Sequence, residues 1–271
     1  MAVTKIQILS DLHLEVPSAY DAFPVEPKAP YLALLGDIGN TKDDGLFDFI
    51  KEQLSKFKIV FFLFGNHEPY HSDWTTATAR VQSFAQQILQ EKEKDTTNTS
   101  LGEFIFLNQT RHDLSDTITI LGCPLYSNIP PERSMDLTCG LNDFYQISNW
   151  TTEAHTASHL SDLRWLNEQV SKISTTEPSR SIVILTHHSP HQGVKAADPA
   201  HAGSKLTSGF STDLSGEECF RNSAVKVWVF GHTHFNCDFV DEGVGARFFT
   251  NQRGYYFAQA GGFDVGKCVE V

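Results

Sequence analysis

The sequence predicts an α/β protein. Short apolar runs rich in β-branched and aromatic residues alternate with longer segments whose apolar residues share one helical face. Five of those runs also stop abruptly on Asp, Asn or His. Lys5 to Leu9 reads as a first strand, and Tyr31 to Leu35 as a second that ends at Gly36-Asp37. Gly45 to Lys58 places Leu46, Phe49, Ile50, Leu54 and Phe57 on one helical face. Ile59 to Phe64 is continuously apolar, as expected of a strand buried on both faces. Ser72 to Glu93 reads as a helix, and Asp95 to Gly102 as a polar loop. Phe104 to Leu107 and Thr117 to Gly122 read as a strand pair, and Thr151 to Ile173 as an amphipathic helix. Ser181 to Thr186 is a strand running into His187-His188. Ser189 to Gly216 is a long Gly-, Ser-, Ala- and His-rich segment, and a loop of that length in a compact domain points to function or disorder. Val225 to Phe230 is a strand ending at Gly231-His232-Thr233-His234. Further β-like runs follow at Phe235 to Val240, Ala246 to Thr250 and Tyr255 to Ala260.

The 271 residues contain no internal repeat and no dividing linker, so one domain over 1–271 is expected. The formal net charge of −12 argues against non-specific nucleic-acid binding and against attachment to an anionic membrane. If the chain handles phosphates, the positive charge must be local, as metal ions would provide. The five cysteines (123, 139, 219, 237 and 268) are odd in number and form no C-x-x-C pair. That argues against a disulfide framework and against a cysteine zinc site. The amino-terminal stretch MAVTKIQILSDLH lacks a signal-peptide core, and no apolar run is long enough to span a bilayer. A cytoplasmic location is the expectation.

Strand ends carry the chemistry. Asp11 and His13 follow the first strand, Asp37 the second, Asn66-His67-Glu68 the third, His187 the fourth and His232 with His234 the fifth. Ligands of open α/β sheets sit beyond the carboxyl ends of the strands. Carboxylate, imidazole and amide groups without thiolate suit divalent metals that prefer nitrogen and oxygen. Taken singly, D-x-H, Gly-Asp and H-x-H are short and common, and Gly-Asn followed by Glu fits an ordinary turn or helix start. Residues two apart on a strand face the same side, so Asp11 with His13 and His232 with His234 are each expected to aim at one point.

These residues resemble the calcineurin-like metallophosphoesterase superfamily: SDLH at 10–13, GD at 36–37, GNHE at 65–68, THH at 186–188 and GHTH at 231–234, in the family's order. LNDF at 141–144 and LRWL at 163–166 are similar to its small phosphodiesterase-like branch. The resemblance implies a four-layer α/β/β/α sandwich of two mixed sheets flanked by helices. It also implies two divalent ions (Mn, Fe, Zn or Mg, with Mn favoured). Asp11, His13, Asp37 and His234 would hold the first. Asp37, Asn66, His187 and His232 would hold the second, with Asp37 bridging and a bridging hydroxide attacking phosphorus. His67 would protonate the leaving oxygen or stabilise the transition state as a cation. Asn66, His67, Tyr70 and His188 would contact substrate, with the segment after His188 covering part of the site. Protein Ser/Thr phosphatases of this superfamily carry GDxVDRG, whose second Asp supports the catalytic His. Here the stretch is GDIGNTK, with Asn40 at that position and no Arg. His67 is thus expected to lack that carboxylate, and a small phosphodiester is favoured over a phosphoprotein. A phosphomonoesterase, a nuclease and a non-catalytic scaffold are the alternatives.

Two other signals are set aside. GGFDVGKC at 261–268 nearly spells a P-loop, but only three residues follow it and no helix can start there. His155 and His159 are spaced i, i+4 without the zincin glutamate, so a partly exposed helix face is expected.

Overall fold

In the computed structural model of the chain, which describes residues 3–94 and 101–271, strands and helices alternate as expected. The first half contains β1 (Lys5–Leu9), β2 (Tyr31–Leu35), α1 (Asp44–Leu54), β3 (Ile59–Leu63), α2 (Trp74–Lys94) and β4 (Glu103–Phe106). Next come β5 (Thr110–Asp113), β6 (Ile118–Gly122), α3 (Ser134–Gly140), α4 (Asp143–Gln146), α5 (Thr152–Thr176) and β7 (Ser181–Leu185). The chain then forms α6 (Glu218–Arg221), β8 (Val225–Phe230), β9 (Asp238–Val240), β10 (Arg247–Thr250), β11 (Gly254–Tyr255), β12 (Ala258–Gln259) and β13 (Cys268–Glu270). The polar loop expected from Asp95 lies largely outside the described residues.

Two mixed sheets result. One has the order β13-β1-β2-β3-β4, with only the edge strand β13 antiparallel. The other has the order β5-β6-β7-β8-β10-β9, with antiparallel strands at both edges. Side-chain alternation explains the continuous apolar runs. Phe61 and Leu63 of β3 meet Val183 and Leu185 of β7 between the sheets, with Ile6, Ile8, Val227 and Val229. Their neighbours Val60 and Phe62 turn outward onto Leu46, Phe49 and Ile50 of α1 and Val81 and Phe84 of α2. On the far side, Ile182, Ile184 and Trp228 pack on Leu166, Val170 and Ile173 of α5. The four layers are therefore α/β/β/α. Phe61 and Phe62 are fully buried, and cutting either to alanine costs about 3–5 kcal/mol.

One pairing differs from the sequence expectation. Segment 103–106 does not pair with 118–122. β4 extends the first sheet beside β3, whereas β6 pairs with β5 in the second sheet. β5 has the sequence Thr-Arg-His-Asp, too polar to read as a strand. All five cysteines are free thiols. No helix among the described residues is long and apolar enough to cross a membrane.

Candidate metal centre

β1, β2, β3, β7 and β8 end along one edge, and the polar groups gather there. Strand alternation is not what aims them. β1 stops at Leu9 and β8 at Phe230, so the two D-x-H and H-x-H pairs lie in loops. Asp11, His13, Asp37, His232 and His234 instead take left-handed backbone angles, with φ of 54°, 48°, 52°, 69° and 49°. Each such residue costs about 1–3 kcal/mol and persists only where its surroundings enforce it. Hydrogen bonds between loops do so here. Asp11 N–H donates to Gly36 O (3.0 Å), and His13 N–H to Asp37 O (2.9 Å). His232 N–H donates to the Asp11 carboxylate (3.1 Å), and His67 N–H to Asp37 Oδ1 (2.8 Å). The buried Glu68 carboxylate accepts from the N–H groups of Asp37 (3.0 Å), Ile38 (2.8 Å) and Gly65 (2.7 Å), tying two loops together. Burial pushes that carboxyl up to about 7 despite the three donors. Gly65 is required by close approach, since a Cβ there would overlap Asp37 Oδ1.

The groups form two half-sites. In the outer one, ligand atoms of Asp11, His13 and His234 lie within 4.8 Å of one another. His13 Nε2 faces His234 Nε2 at 3.0 Å, and His234 Nε2 is 3.4 Å from Asp11 Oδ1. In the inner one, Asp37, His187 and His232 cluster within the same limit. Asp37 stands between them, with Oδ1 3.6 Å from His187 Nε2 and Oδ2 3.9 Å from His13 Nε2. Asn66 Oδ1 lies 3.2 Å from His187 Nε2.

The donor chemistry fits divalent cations. The Nδ1–H of His187 donates to Leu35 O (2.8 Å), which leaves Nε2 as a bare acceptor facing the cluster. The Nε2–H of His232 donates to Gly209 O (3.3 Å), which leaves its Nδ1 bare. Asn66 Nδ2 donates to Asp143 Oδ1 (2.8 Å), and this turns its oxygen inward. Burial, with Glu68 and Asp11 nearby, drives the Asp37 carboxyl well above the ordinary carboxylate range. A cation among these acceptors removes that penalty. Asp11, His13, Asp37, Asn66, His187, His232 and His234 are thus brought together.

The motif Asp is absent, as expected, but another carboxylate reaches His67. Its Nδ1 donates to Glu15 Oε1 at 2.8 Å, and the same oxygen lies 3.4 Å from His13 Nδ1. Sequence comparison placed the missing carboxylate at Asn40, whereas the structure brings it from the loop after β1. Asn40 Nδ2 instead donates to the His67 carbonyl at 2.7 Å. Burial alone would raise the Glu15 carboxyl, but hydrogen bonds from His13 and His67 outweigh it and hold it at about 2. His67 Nε2 then faces Asp37 Oδ2 at 3.9 Å and the Tyr255 hydroxyl at 3.3 Å.

Two expected substrate contacts pack directly against site residues. Tyr70 is 7 % exposed; its ring stacks on His67 (4.2 Å between centroids), and its hydroxyl bonds Asp143 Oδ1 at 2.5 Å. It therefore braces Asn66 and His67. His188 is 1 % exposed, and its ring lies against His232 (4.2 Å), His155 (5.3 Å) and Tyr126 (5.7 Å). It lies beneath the inner half-site and does not open to the cleft. His155 and His159 are likewise buried, not half-exposed. His155 Nε2 accepts from Ser127 N–H (3.0 Å), and His159 Nδ1 donates to Leu125 O (2.9 Å). They secure a turn in which Leu125 and Tyr126 both have positive φ. The segment after His188 covers the inner half through Gly209 O and the Phe210 ring, stacked 4.7 Å from His232. Sequence reasoning missed Glu15, Asp143 and Tyr255. Glu15 continues the D-x-H spacing by two residues and Asp143 lies in LNDF, but nothing near Tyr255 marks it.

The calcineurin-like phosphoesterase family profile matches residues 4–236. The chain belongs to this family. Membership makes it a metal-dependent phosphoesterase. A relative from Acanthamoeba polyphaga mimivirus, an uncharacterized protein, is 28% identical over 268 residues, covering 92% of this chain and 91% of its own. Among solved structures, the phosphopantetheinyl hydrolase of Mycobacterium tuberculosis superposes with a TM-score of 0.62 at 14% identity, covering 94% of this chain and 90% of its own. That likeness concerns the fold alone.

Proposed function

We propose that this phosphoesterase is a phosphodiesterase acting on a small substrate through a dinuclear centre. Asp11, His13, Asp37 and His234 hold one ion, and Asp37, Asn66, His187 and His232 hold the other. Manganese is the metal to test first. When bound, the ions clamp the phosphoryl oxygens and lower the pKa of water from about 15.7 to roughly 7.

The contact between Glu15 and His67 carries the reading of the residues. Glu15 accepts a hydrogen bond from the Nδ1–H of His67, so in the doubly protonated imidazolium Nε2–H is the group presented to the leaving oxygen. His67 Nε2 delivers a proton to that oxygen as the bond to phosphorus breaks. Tyr70 holds the ring flat from one side, and Asn40 anchors its backbone. Glu15 also orients His13, so one carboxylate aligns a metal ligand and the acid. The diester preference is supported by charge. The motif arginine that accompanies a phosphoprotein dianion is replaced by Thr41, whose hydroxyl donates to Glu68 O.

The test is turnover of an activated diester and an activated monoester with Mn²⁺ present. The reading expects a higher kcat/KM on the diester. Faster monoester turnover would convert the assignment to a phosphomonoesterase, and no turnover of either by metal-loaded protein would end it.

A further inference from the structure

The hairpin of β11 and β12 reaches the site through Tyr255 and turns at Tyr256-Phe257. The Tyr255 ring stacks on His13, with centroids 4.2 Å apart and planes at 24°. Its hydroxyl lies 3.3 Å from His67 Nε2. The Phe257 ring is parallel to that of Tyr255, at 5.4 Å and 1°. Tyr256 stands edge-on to Phe257 at 5.2 Å and 87°. A file of flat rings thus leads from a site histidine outward, through Tyr255 to Phe257. The outer members are wet: Phe257 is 68 % exposed and Tyr256 50 %. Two adjacent exposed aromatic side chains at the mouth of a catalytic cleft are best explained by something that stacks on them.

We infer that the Tyr256-Phe257 turn is a stacking subsite for a flat aromatic group carried by the leaving alcohol, with a nucleobase as the matching chemistry. The inference rests on the phosphodiesterase reading. Three features select this occupant. Tyr255 contacts His67, the residue assigned to the leaving oxygen, so the file lies on that side of phosphorus. The exposed groups are aromatic rings, which suit a planar π-system better than an acyl chain. Stacking also needs no positive charge, which matters in a chain of net charge −12. A nucleoside-bearing diester therefore fits where a long polyanionic strand does not.

The probes are a deoxydinucleoside monophosphate and the two matching diesters with an abasic residue at either end, turned over by the full chain with Mn²⁺. The wild type should prefer the dinucleotide. In Tyr256→Ala/Phe257→Ala that preference should fall by ~10-fold or more, mainly through KM. Both side chains are exposed, so an unchanged melting temperature is expected and is checked. An equal preference before and after substitution overturns the subsite while leaving the diesterase reading intact. A change in self-association with the preference unaltered makes the turn a contact surface and also overturns it. Failure of the wild type on all three diesters and on the activated diester overturns the underlying reading, and the subsite with it.

Discussion

The outer and inner half-sites use similar side chains but are held differently. In the outer one, His13 leans on a carboxylate, Glu15, and His234 keeps 28% of its side chain in solvent. In the inner one, His187 and His232 lean on the carbonyls of Leu35 and Gly209, and both are buried. A carbonyl fixes a tautomer and a direction. A carboxylate does that and also makes the imidazole more basic. Because Glu15 reaches His67 as well, the outer half is joined to the proposed proton donor. The inner half is joined to the core through Asp143, Tyr70 and the layer of His188 and His155. On the proposed dinuclear reading, one half serves chemistry at the cleft and the other the retention of its ion.

The largest expected effect separates His67 from both halves. His67→Ala should lower kcat ~10²–10⁴-fold, with metal content unchanged by elemental analysis. Loss of an ion along with activity would make His67 a ligand and break the division. Glu15→Gln comes next, at ~10–100-fold. Its effect should be larger for an alkoxide leaving group than for nitrophenolate, which needs no proton; an equal loss on both would reduce Glu15 to scaffolding. Chelation gives the third contrast. EDTA should remove the outer ion first and the inner ion more slowly, read as two phases by metal-indicator absorbance. A single phase would mean the halves do not differ in retention.

The smallest effect concerns the histidine layer under the inner half. Burial lowers His155 to about 3 from 6.5. The folded state therefore binds fewer protons than the unfolded one between those values, and stability is lost as pH falls below 6.5. At pH 5 His155 should cost about 2 kcal/mol. Melting curves from pH 7.5 to 5 should be steeper for the wild type than for His155→Gln, and superimposable slopes would refute the assignment.

Much of this cluster was legible in the sequence because its groups lie within four residues of the end of an apolar strand. The rule that ligands gather beyond strand ends put Asp11, Asp37, Asn66, His187 and His232 at one edge, and the family resemblance supplied their proposed metal roles. The reason first offered for the paired ligands was wrong, because φ angles near 50° replace strand alternation and leave no hydropathy trace. β5 was invisible because its four residues are polar, and this misassigned the partner of β6.

The sequence by itself determined the strand order of chemistry: which groups reach the edge, and that none is a thiolate. Local patterning encodes this, since an apolar run must end where its polar neighbour meets solvent or an ion. Only the tertiary structure decided who supports whom. Glu15 reaches His67 across 52 residues, Asp143 reaches Asn66 across 77, and Tyr255 reaches His67 across 188. Such contacts depend on how two sheets and their loops close on one another, and no spacing within the chain records that geometry.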